Sequence, residues 1–304
     1  MKVLVVGGSG FIGAAVVAAL RERGDDVVVT GRDEARLRKQ FGAGVACVAW
    51  DPLAGPPPAE ALAGVDGVIN LAGEPVDKGR WSKAKKERIR ESRVAGTRNL
   101  VAGMLAADPR PKALVNASAI GYYGDRKHIV LHEEYPPADD FLAEVCKAWE
   151  AEAWKARDEG IRTAVVRIGI VLGRGGGAYP QLALPFRLFL GGTIDLGRAW
   201  MSWIHLDDVV GIFLHCLDRE VSGVFNGTAP NPVSNEEFTR TLASVLRRPA
   251  PLIVPGFALR LLKGEFAKVI TSSTRARPLR TMSSGYEFKY PQLRDALLAL
   301  EGKA

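Results

Sequence analysis

A glycine-rich turn between an apolar run and a helical pattern constrains the fold of this chain more than any other feature. KVLVV (2–6) is followed by GGSGFIG and then by AAVVAALRER (14–23). In such a context the first glycine permits a tight turn, the middle one lets the backbone approach a pyrophosphate, and the last lets helix pack on strand. The helix start adds unpaired N–H donors for an anion. The pattern therefore predicts a dinucleotide-binding turn formed by Gly7, Gly10, Phe11, Ile12 and Gly13.

Apolar runs alternate with helical patterns through the first half of the chain. The runs are bounded by glycine, proline or polar residues, as buried strands are, and lie at 2–6, 26–30, 67–70, 113–118 and 163–173. Helical patterns lie at 14–23, 85–106 and 141–160. This alternation predicts an α/β fold with a doubly wound parallel sheet, a Rossmann fold, over residues 1–175, with 200–230 returning to the sheet.

The alternation fails after about Gly175. Residues 176–199 are rich in glycine and proline, which predicts a long loop or lid. Helical patterns return at 234–248, 255–270 and 293–300. We expect a smaller, mainly helical region on the substrate side, formed by 176–199 and 230–304 and packed near the carboxyl edge of the sheet.

Charge and composition limit the partners. The 304 residues carry a net charge of +7, and residues 230–304 hold 12 basic against 6 acidic side chains. This excess indicates a solvated basic face, with a field that attracts an anionic small-molecule substrate or partner as the alternative. No nucleic-acid motif and no bilayer-spanning apolar run is present, so we expect neither nucleic acid nor membrane as partner and leave the oligomeric state open. Isolated Cys47, Cys146 and Cys216 predict a reduced, cytoplasmic chain without disulfides or a metal site.

The end of the second predicted strand indicates the dinucleotide. NAD-binding folds usually place an acidic residue there, to bond the ribose hydroxyls. Here the strand is followed by Gly31 and Arg32, with Asp33 one residue later. A guanidinium in that position can fork onto a 2′-phosphate, so we predict NADP(H). The alternative is a solvent-exposed Arg32 with Asp33 facing the ribose.

INLAGEP (69–75) follows the next predicted strand and brings small residues to the carboxyl end of the sheet. Its backbone is expected to line the cofactor ribose at Leu71 and Ala72, and Asn70 or Glu74 to bond it. A tight strand exit without a binding role is the alternative.

Five motifs together resemble one known group. GGSGFIG, NLAGEP, NASAIGYYG (116–124), VVRIGIVLGRGGG (165–177) and WIHLDD (203–208) are similar to motifs of the extended short-chain dehydrogenase/reductase superfamily. Within it, the chain resembles the NAD(P)-dependent epimerase/dehydratase-like epimerase family, and residues 255–300 resemble the C-terminal domain of unknown function of that family. The resemblance implies a Rossmann fold, NADP(H) binding and an unsettled substrate.

The superfamily uses a serine together with a tyrosine and a lysine spaced YxxxK on one helix. Residues four apart share a helical face, so the lysine lowers the pKa of the phenol and holds the nicotinamide ribose. The resemblance assigns the serine to Ser118 and the lysine to Lys147. The tyrosine position is then Ala143, so the proton-transfer partner is missing.

Several residues compete to replace that tyrosine. Tyr122 and Tyr123 follow Ser118 and either move a proton or shape the cavity. Cys146 adjoins Lys147 but points elsewhere on a helix, and Glu144 fits a solvated surface. No candidate prevails at this stage.

Further roles rest on the resemblance. Arg93 is similar to a cofactor-contacting arginine, with a helix-surface salt bridge as the alternative, and Val171 sits where backbone would approach the nicotinamide amide. Arg167 is a charge in an apolar strand and needs a partner. Trp203, His205 and Asp207 belong to a turn that is usually structural.

Two functions follow from these residues. The first is an NADP(H)-dependent oxidoreductase or epimerase acting on a small carbonyl or sugar-like substrate beside Ser118, with Lys147 on the ribose. The second is an NADPH-binding regulatory or scaffold protein without turnover. Ala143 favours the second, whereas Ser118 and Lys147 favour the first.

Overall fold

A seven-stranded parallel sheet organises the computed structural model, which describes residues 1–303. From one edge to the other its strands are β13 (Gly223–Gly227), β7 (Arg162–Ile168), β5 (Ala113–Ala119), β4 (Gly67–Asn70), β1 (Lys2–Val6), β2 (Asp26–Gly31) and β3 (Ala46–Ala49). Every neighbouring pair is parallel. The predicted doubly wound α/β fold is confirmed.

Helices cover both faces of this sheet. On one face lie α1 (Phe11–Glu22), α2 (Glu34–Phe41) and α7 (Leu206–Asp218), and on the other α3 (Ala59–Leu62), α4 (Lys83–Ala106) and α5 (Phe141–Asp158). Val3 and Val5 of β1 join the first core, while Leu4 and Val6 join the second. Because alternate side chains leave opposite faces of a strand, an apolar run such as VLVV (3–6) fits a sheet that is buried on both sides.

The elements outside the central sheet and its covering helices are short strand pairs and further helices, which we call the second region. The strands are β8 (Ile170–Gly173) with β9 (Gly176–Gly177) and β12 (Trp203–His205), β10 (Gly192–Ile194) with β15 (Leu252–Val254), β11 (Trp200–Met201) with β14 (Val233–Ser234), and β6 (Val130–Leu131) with β16 (Arg275–Ala276). The helices are α6 (Tyr179–Arg187), α8 (Asn235–Leu246), α9 (Gly256–Lys263), α10 (Ala267–Thr271), α11 (Leu279–Ser283) and α12 (Leu293–Leu300). Short 3₁₀ turns occupy Gly42–Gly44, Ile120–Tyr123 and Gly264–Phe266. A third apolar core joins α6, α8 and α12.

The predicted strand at 163–173 is two strands. The chain bends at Gly169, whose amide donates to the Gly227 carbonyl at 2.9 Å. A Cβ at this position would lie 2.4 Å from the Ser202 carbonyl oxygen, so only glycine allows the crossing. Consequently β7 stays in the central sheet and β8 leaves it to pair with β12.

The predicted loop at 176–199 was wrong over 179–187, where α6 forms. Pro180 lies in the first helical turn, where a missing N–H costs nothing. Tyr179, Ala183 and Phe186 recur at helical spacing and are buried in the third core. The burial of this helical face therefore outweighs the tendency of glycine and proline to favour a loop.

Candidate functional site

The glycine turn after β1 brings the start of α1 against the end of β4. Gly7 adopts a φ of +79°, and a Cβ there would lie 2.8 Å from the carbonyl carbon of Leu71. A Cβ on Gly13 would lie 2.3 Å from the Gly7 oxygen, so the helix and the turn touch as predicted. Gly10 precedes α1, and no side chain caps the first turn. The first-turn amides that face outward to an anion begin with those of Phe11 and Ile12.

The ring of Phe11 explains the glycines that follow β8. A Cβ added to Gly173, Gly176 or Gly177 would fall 2.5, 2.6 or 2.8 Å from ring atoms of Phe11. The glycine-rich segment can therefore pass directly over the start of α1. Val171, the predicted nicotinamide contact, lies on the same hairpin and its carbonyl accepts a backbone amide at 2.9 Å. A nicotinamide contact through Val171 stays a prediction.

Arg32 and Asp33, the two alternatives for contacting the adenosine end of a dinucleotide, follow β2 and differ in their contacts. The Asp33 carboxylate accepts the Arg36 amide at 2.9 Å and caps α2. Arg32 is exposed, and its guanidinium makes no hydrogen bond or ion pair within residues 1–303. Gly31 packs its backbone on Leu37. Asp33 is thus committed to the helix, and the guanidinium beside it is available to a ligand.

The backbone after β4 lies against the glycine turn, and its predicted contact with a ribose stays a prediction, whereas Asn70 does not act as predicted. A Cβ on Gly7 would lie 2.9 Å from the Ala72 nitrogen, so Leu71 and Ala72 border the phosphate turn. The Asn70 amide donates to two buried side chains at 3.0 and 2.7 Å, and its oxygen accepts the Ala72 amide at 3.2 Å. Because both N–H groups are used and the side chain is buried, Asn70 belongs to the scaffold and not to a ribose contact.

Glu74 and Arg93 complete this edge. The Glu74 carboxylate accepts Lys85 Nζ at 2.7 Å, and this ion pair lowers the pKa of Glu74. Arg93 donates to the Glu74 carbonyl at 3.0 Å, packs over the Trp149 ring at 5.2 Å and lies against Gly73. Burial lowers the pKa of Arg93, which pairs with no carboxylate in the described residues. The alternative of a helix-surface salt bridge is therefore wrong, and a half-buried cation faces the end of β4.

A buried polar group closes the end of β5. Ser118 donates its hydroxyl to Glu150 Oε1 at 2.6 Å. Arg167, opposite Ser118 on β7, donates Nε and Nη2 to the same carboxylate, both at 2.8 Å. The Arg167 and Glu150 side chains are 3% and 6% exposed. Arg167, the charged residue that the sequence placed in an apolar strand, thus holds the Glu150 carboxylate, and this carboxylate in turn orients Ser118.

The face of α5 that points toward Ser118 carries Cys146, one residue before the predicted lysine. Burial, followed by the nearby Glu150 carboxylate, raises the pKa of Cys146 to about 11. Lys147 points about 100° further round the helix. It is exposed and makes no hydrogen bond or ion pair within the part of the chain that the structure describes, whereas Ala143 is fully buried. The predicted grouping of Ser118 with Lys147 is therefore replaced by a pair with Glu150, and a ribose contact by Lys147 stays a prediction.

The two tyrosines after β5 differ in their freedom. The Tyr123 hydroxyl donates to Asn226 at 2.8 Å and accepts Arg167 Nη1 at 3.0 Å, and burial raises its pKa to about 12. Tyr122 is half-buried, with its ring centroid 3.4 Å from Arg167 Cζ. Its hydroxyl makes no hydrogen bond within residues 1–303, and Glu144 is exposed on α5. Tyr122 therefore has the one uncommitted hydroxyl among the predicted catalytic side chains of the described chain.

The WIHLDD turn is structural, as predicted. Trp203 donates its indole N–H to a carbonyl at 3.0 Å, and His205 Nδ1 accepts the Asp207 amide at 3.1 Å. The Asp208 carboxylate accepts two backbone amides of the C-terminal segment at 2.7 and 3.0 Å. Burial raises the pKa of Asp208, and these amides oppose that rise. The turn ties the C-terminal segment to α7.

The described chain has neither a cluster of metal-ligating side chains nor a membrane-spanning helix. Within residues 1–303, no three His, Cys, Asp or Glu side chains cluster so as to hold a metal ion. All three cysteines are free and buried. No helix among these residues has the length and apolar character needed to cross a bilayer.

A family model describes most of the chain. The model of the NAD dependent epimerase/dehydratase family matches residues 3–227. The chain belongs to this family. A second model, a domain of unknown function (DUF1731), matches residues 254–300 of this epimerase-family chain.

Relatives match over the full length. An Arabidopsis thaliana protein, "Epimerase family protein SDR39U1 homolog, chloroplastic", is 39% identical and the alignment covers 99% of this chain and 86% of the relative. The Bacillus subtilis epimerase family protein YfhF is 36% identical, with 99% and 98% covered. The crystal structure of human epimerase family protein SDR39U1 (isoform 2) with NADPH is 35% identical and superposes over all of both chains with a TM-score of 0.88.

Proposed function

We propose that this epimerase-family chain binds NADP(H) across the carboxyl edge of its central sheet. The observation that carries the proposal is the end of β2, where Asp33 caps α2 and Arg32 remains exposed. A guanidinium there forks onto a 2′-phosphate, whereas a free acidic residue would bond the ribose hydroxyls of NAD. The human relative crystallised with NADPH supports the same choice.

The residues around the phosphate turn fit such a dinucleotide. The first-turn amides of α1 have no side-chain cap and form the positive end of the helix dipole. At the adenosine end, Thr30 Oγ1 is buried without a hydrogen-bond partner, one residue before Gly31. Arg93, a cation without a carboxylate, faces the same sheet edge. These donors suit a pyrophosphate between two riboses.

The contacts at the end of β5 support NADP(H) binding without the serine–tyrosine–lysine proton transfer that the wider superfamily uses. Bound NADPH supplies a hydride, but reduction of a carbonyl also needs a proton. Ser118 gives its hydrogen to Glu150, Glu150 is held by Arg167, and Tyr123 is buried with a pKa of about 12. An NADP(H)-binding protein with a regulatory or scaffold role is therefore the function that this geometry supports best.

A second candidate is NADP(H)-dependent reduction or epimerisation of a small carbonyl or sugar-like substrate, and Tyr122 favours it. Its hydroxyl has no partner within residues 1–303, and its ring stacks on the Arg167 guanidinium, which fixes the position of the phenol. In this reaction Tyr122 gives its proton to the substrate oxygen beside Ser118. The basic excess of residues 230–304 favours an anionic substrate.

Binding and turnover are tested separately. We expect saturable NADPH fluorescence changes with the wild-type chain and a large loss of affinity in Gly10→Ala, because a Cβ would occupy the approach of the pyrophosphate. Gly10 has a φ of −75°, which alanine adopts readily, but its Cβ would lie 3.2 Å from the Gly7 oxygen, so a melting curve checks that the fold is kept. No saturable NADPH binding by the wild type would overturn the proposal.

Turnover is followed by NADPH absorbance with a panel of aldehydes, ketones and nucleotide sugars, with product analysis for epimers. Binding without turnover across the panel supports the binding function. Turnover that disappears in Tyr122→Phe and persists in Tyr123→Phe supports the second candidate, because only Tyr122 has an uncommitted hydroxyl.

A further inference from the structure

Residues 76–81, between the end of β4 and the start of α4, form an irregular segment that we call the strap. No amide of the strap donates a hydrogen bond to another backbone group in the part of the chain that the structure describes. The Trp81 indole donates to the Val76 carbonyl at 2.8 Å and ties the two ends of the segment together. On either side the chain is anchored, because the Glu74 amide donates to a serine hydroxyl of α4 at 3.0 Å and Ser82 caps α4. The strap is therefore held at its ends and has no regular backbone pairing between them.

The strap spans the two walls that flank the start of α1. It leaves the end of β4 just after the backbone that borders the phosphate turn. On the other side the Asp77 carboxylate accepts Gln181 Nε2 of α6 at 3.2 Å. Helix α6 follows the glycine-rich segment 173–177, which lies against Phe11 at the start of α1. The strap thus bridges the opening above the amides to which we assign the pyrophosphate.

Side-chain contacts join the strap and the first turn of α4 to the second region. The Trp81 and Phe266 rings lie 6.1 Å apart, centroid to centroid, and Arg80 Nη2 donates to a carbonyl of α9 at 3.4 Å. Lys86 forms an ion pair with Glu265, and these side chains are 32% and 49% exposed. Solvent screens such a pair, and each of these contacts is individually weak. The contacts can therefore part without unfolding of either region.

We propose that the strap is a gate over the NADP(H) site, and that its separation from α9 and Phe266 sets the rates at which the nucleotide enters and leaves. This gate presupposes the NADP(H) binding proposed above. Because the contacts join protein groups alone, the closed forms with and without nucleotide lose the same stabilisation when one contact is removed. Loss of a contact therefore speeds entry and release together and leaves the dissociation constant nearly unchanged.

Stopped-flow NADPH fluorescence measures both rate constants. Glu265→Lys sets a second cation beside Lys86 and should raise both by roughly three- to tenfold, with a dissociation constant within about twofold of wild type. Exchanging the charges, in the double variant Lys86→Glu, Glu265→Lys, should restore both rate constants. The matched control is Glu236→Lys, which makes the same change of charge at an ion-paired glutamate of α8 that is 56% exposed and should leave both near wild type.

An uncharged variant separates the gate from an effect of overall charge. Phe266→Ala removes the ring that faces Trp81 and should also raise both rate constants, whereas Phe257→Ala, at an exposed phenylalanine of α9, should not. Saturable binding by the wild type, with rate constants unchanged in both Glu265→Lys and Phe266→Ala, overturns the gate alone. Faster release with a matching loss of affinity assigns the strap to direct nucleotide contact and also overturns it. A wild type without saturable NADPH binding overturns the proposed function together with the gate.

Discussion

Replacing Arg167 by methionine should strongly destabilise the fold, because it strips a buried carboxylate of its partner. Arg167 donates twice to Glu150, and both side chains are nearly inaccessible. Removing one member of a buried ion pair costs about 3–5 kcal/mol. Arg167 also donates to the Tyr123 hydroxyl and the Glu133 carbonyl, both at 3.0 Å, and each lost bond costs about 1 kcal/mol. At ~2–4 °C per kcal/mol, the melting midpoint should fall by on the order of 10 °C.

The assay is a thermal melt of Arg167→Met beside a matched control, an arginine that pairs with another carboxylate of α5. Arg98 pairs with Glu152 at 2.9 Å, but the Arg98 side chain is 56% exposed, so Arg98→Met should cost less than about 1 kcal/mol. The double variant Glu150→Gln, Arg167→Met removes the stranded charge and should recover part of the loss. A drop in Arg167→Met no larger than that of Arg98→Met would refute the view that this pair organises the end of β5.

Three further predictions concern titration and the helix α5. Native Cys146, with its pKa raised by burial to about 11, should be labelled by a thiol reagent on the order of 100-fold more slowly than an ordinary thiol at neutral pH; rapid labelling of the folded chain at this residue contradicts its burial. Lys85→Met removes the cation that lowers the pKa of Glu74. In urea melts the variant should be less stable than the wild type by a constant amount above the usual glutamate pKa of about 4.3, and the difference should disappear as the pH falls through the lowered pKa. A difference in stability that grows in acid would contradict this expectation. Lys147→Met should change the free energy of unfolding by less than about 0.5 kcal/mol, because the side chain is exposed; a loss of NADPH affinity beyond roughly tenfold would support its predicted ribose contact, and an unchanged affinity would contradict it.

The central fold was predictable because its signals are local. Buried parallel strands such as β1 and β2 carry runs of consecutive apolar residues, and glycines between a strand and a helix indicate a tight turn. The elements that escaped prediction are those whose pattern depends on neighbours. Strand β3 lies at the sheet edge with its first and last residues exposed, and α6 contains two prolines but forms because its apolar face is buried.

The candidate site was predictable in its phosphate turn and not in its polar centre. The positions of Gly7, Gly13, Leu71 and Ala72 followed from the order of strands, turns and helices along the chain. The pairing of Ser118 with Glu150 did not, because the two residues meet only when β5 and α5 pack, and a one-residue shift on a helix turns a side chain by about 100°. An apolar strand that carries one arginine was the available signal, since a buried guanidinium requires a carboxylate nearby.

The most direct test of the cofactor assignment is the ratio of NADPH to NADH affinity, measured by isothermal titration for the wild type and two neighbouring variants. Charge-assisted hydrogen bonds contribute about 1.5–3 kcal/mol, so the wild type should prefer NADPH by roughly 10- to 150-fold. Arg32→Ala should abolish that preference while leaving NADH affinity almost unchanged, and Arg36→Ala, on the exposed start of α2, should keep it. Equal affinities in the wild type, or equal losses for both nucleotides in Arg32→Ala, would contradict the placement of the 2′-phosphate beside β2.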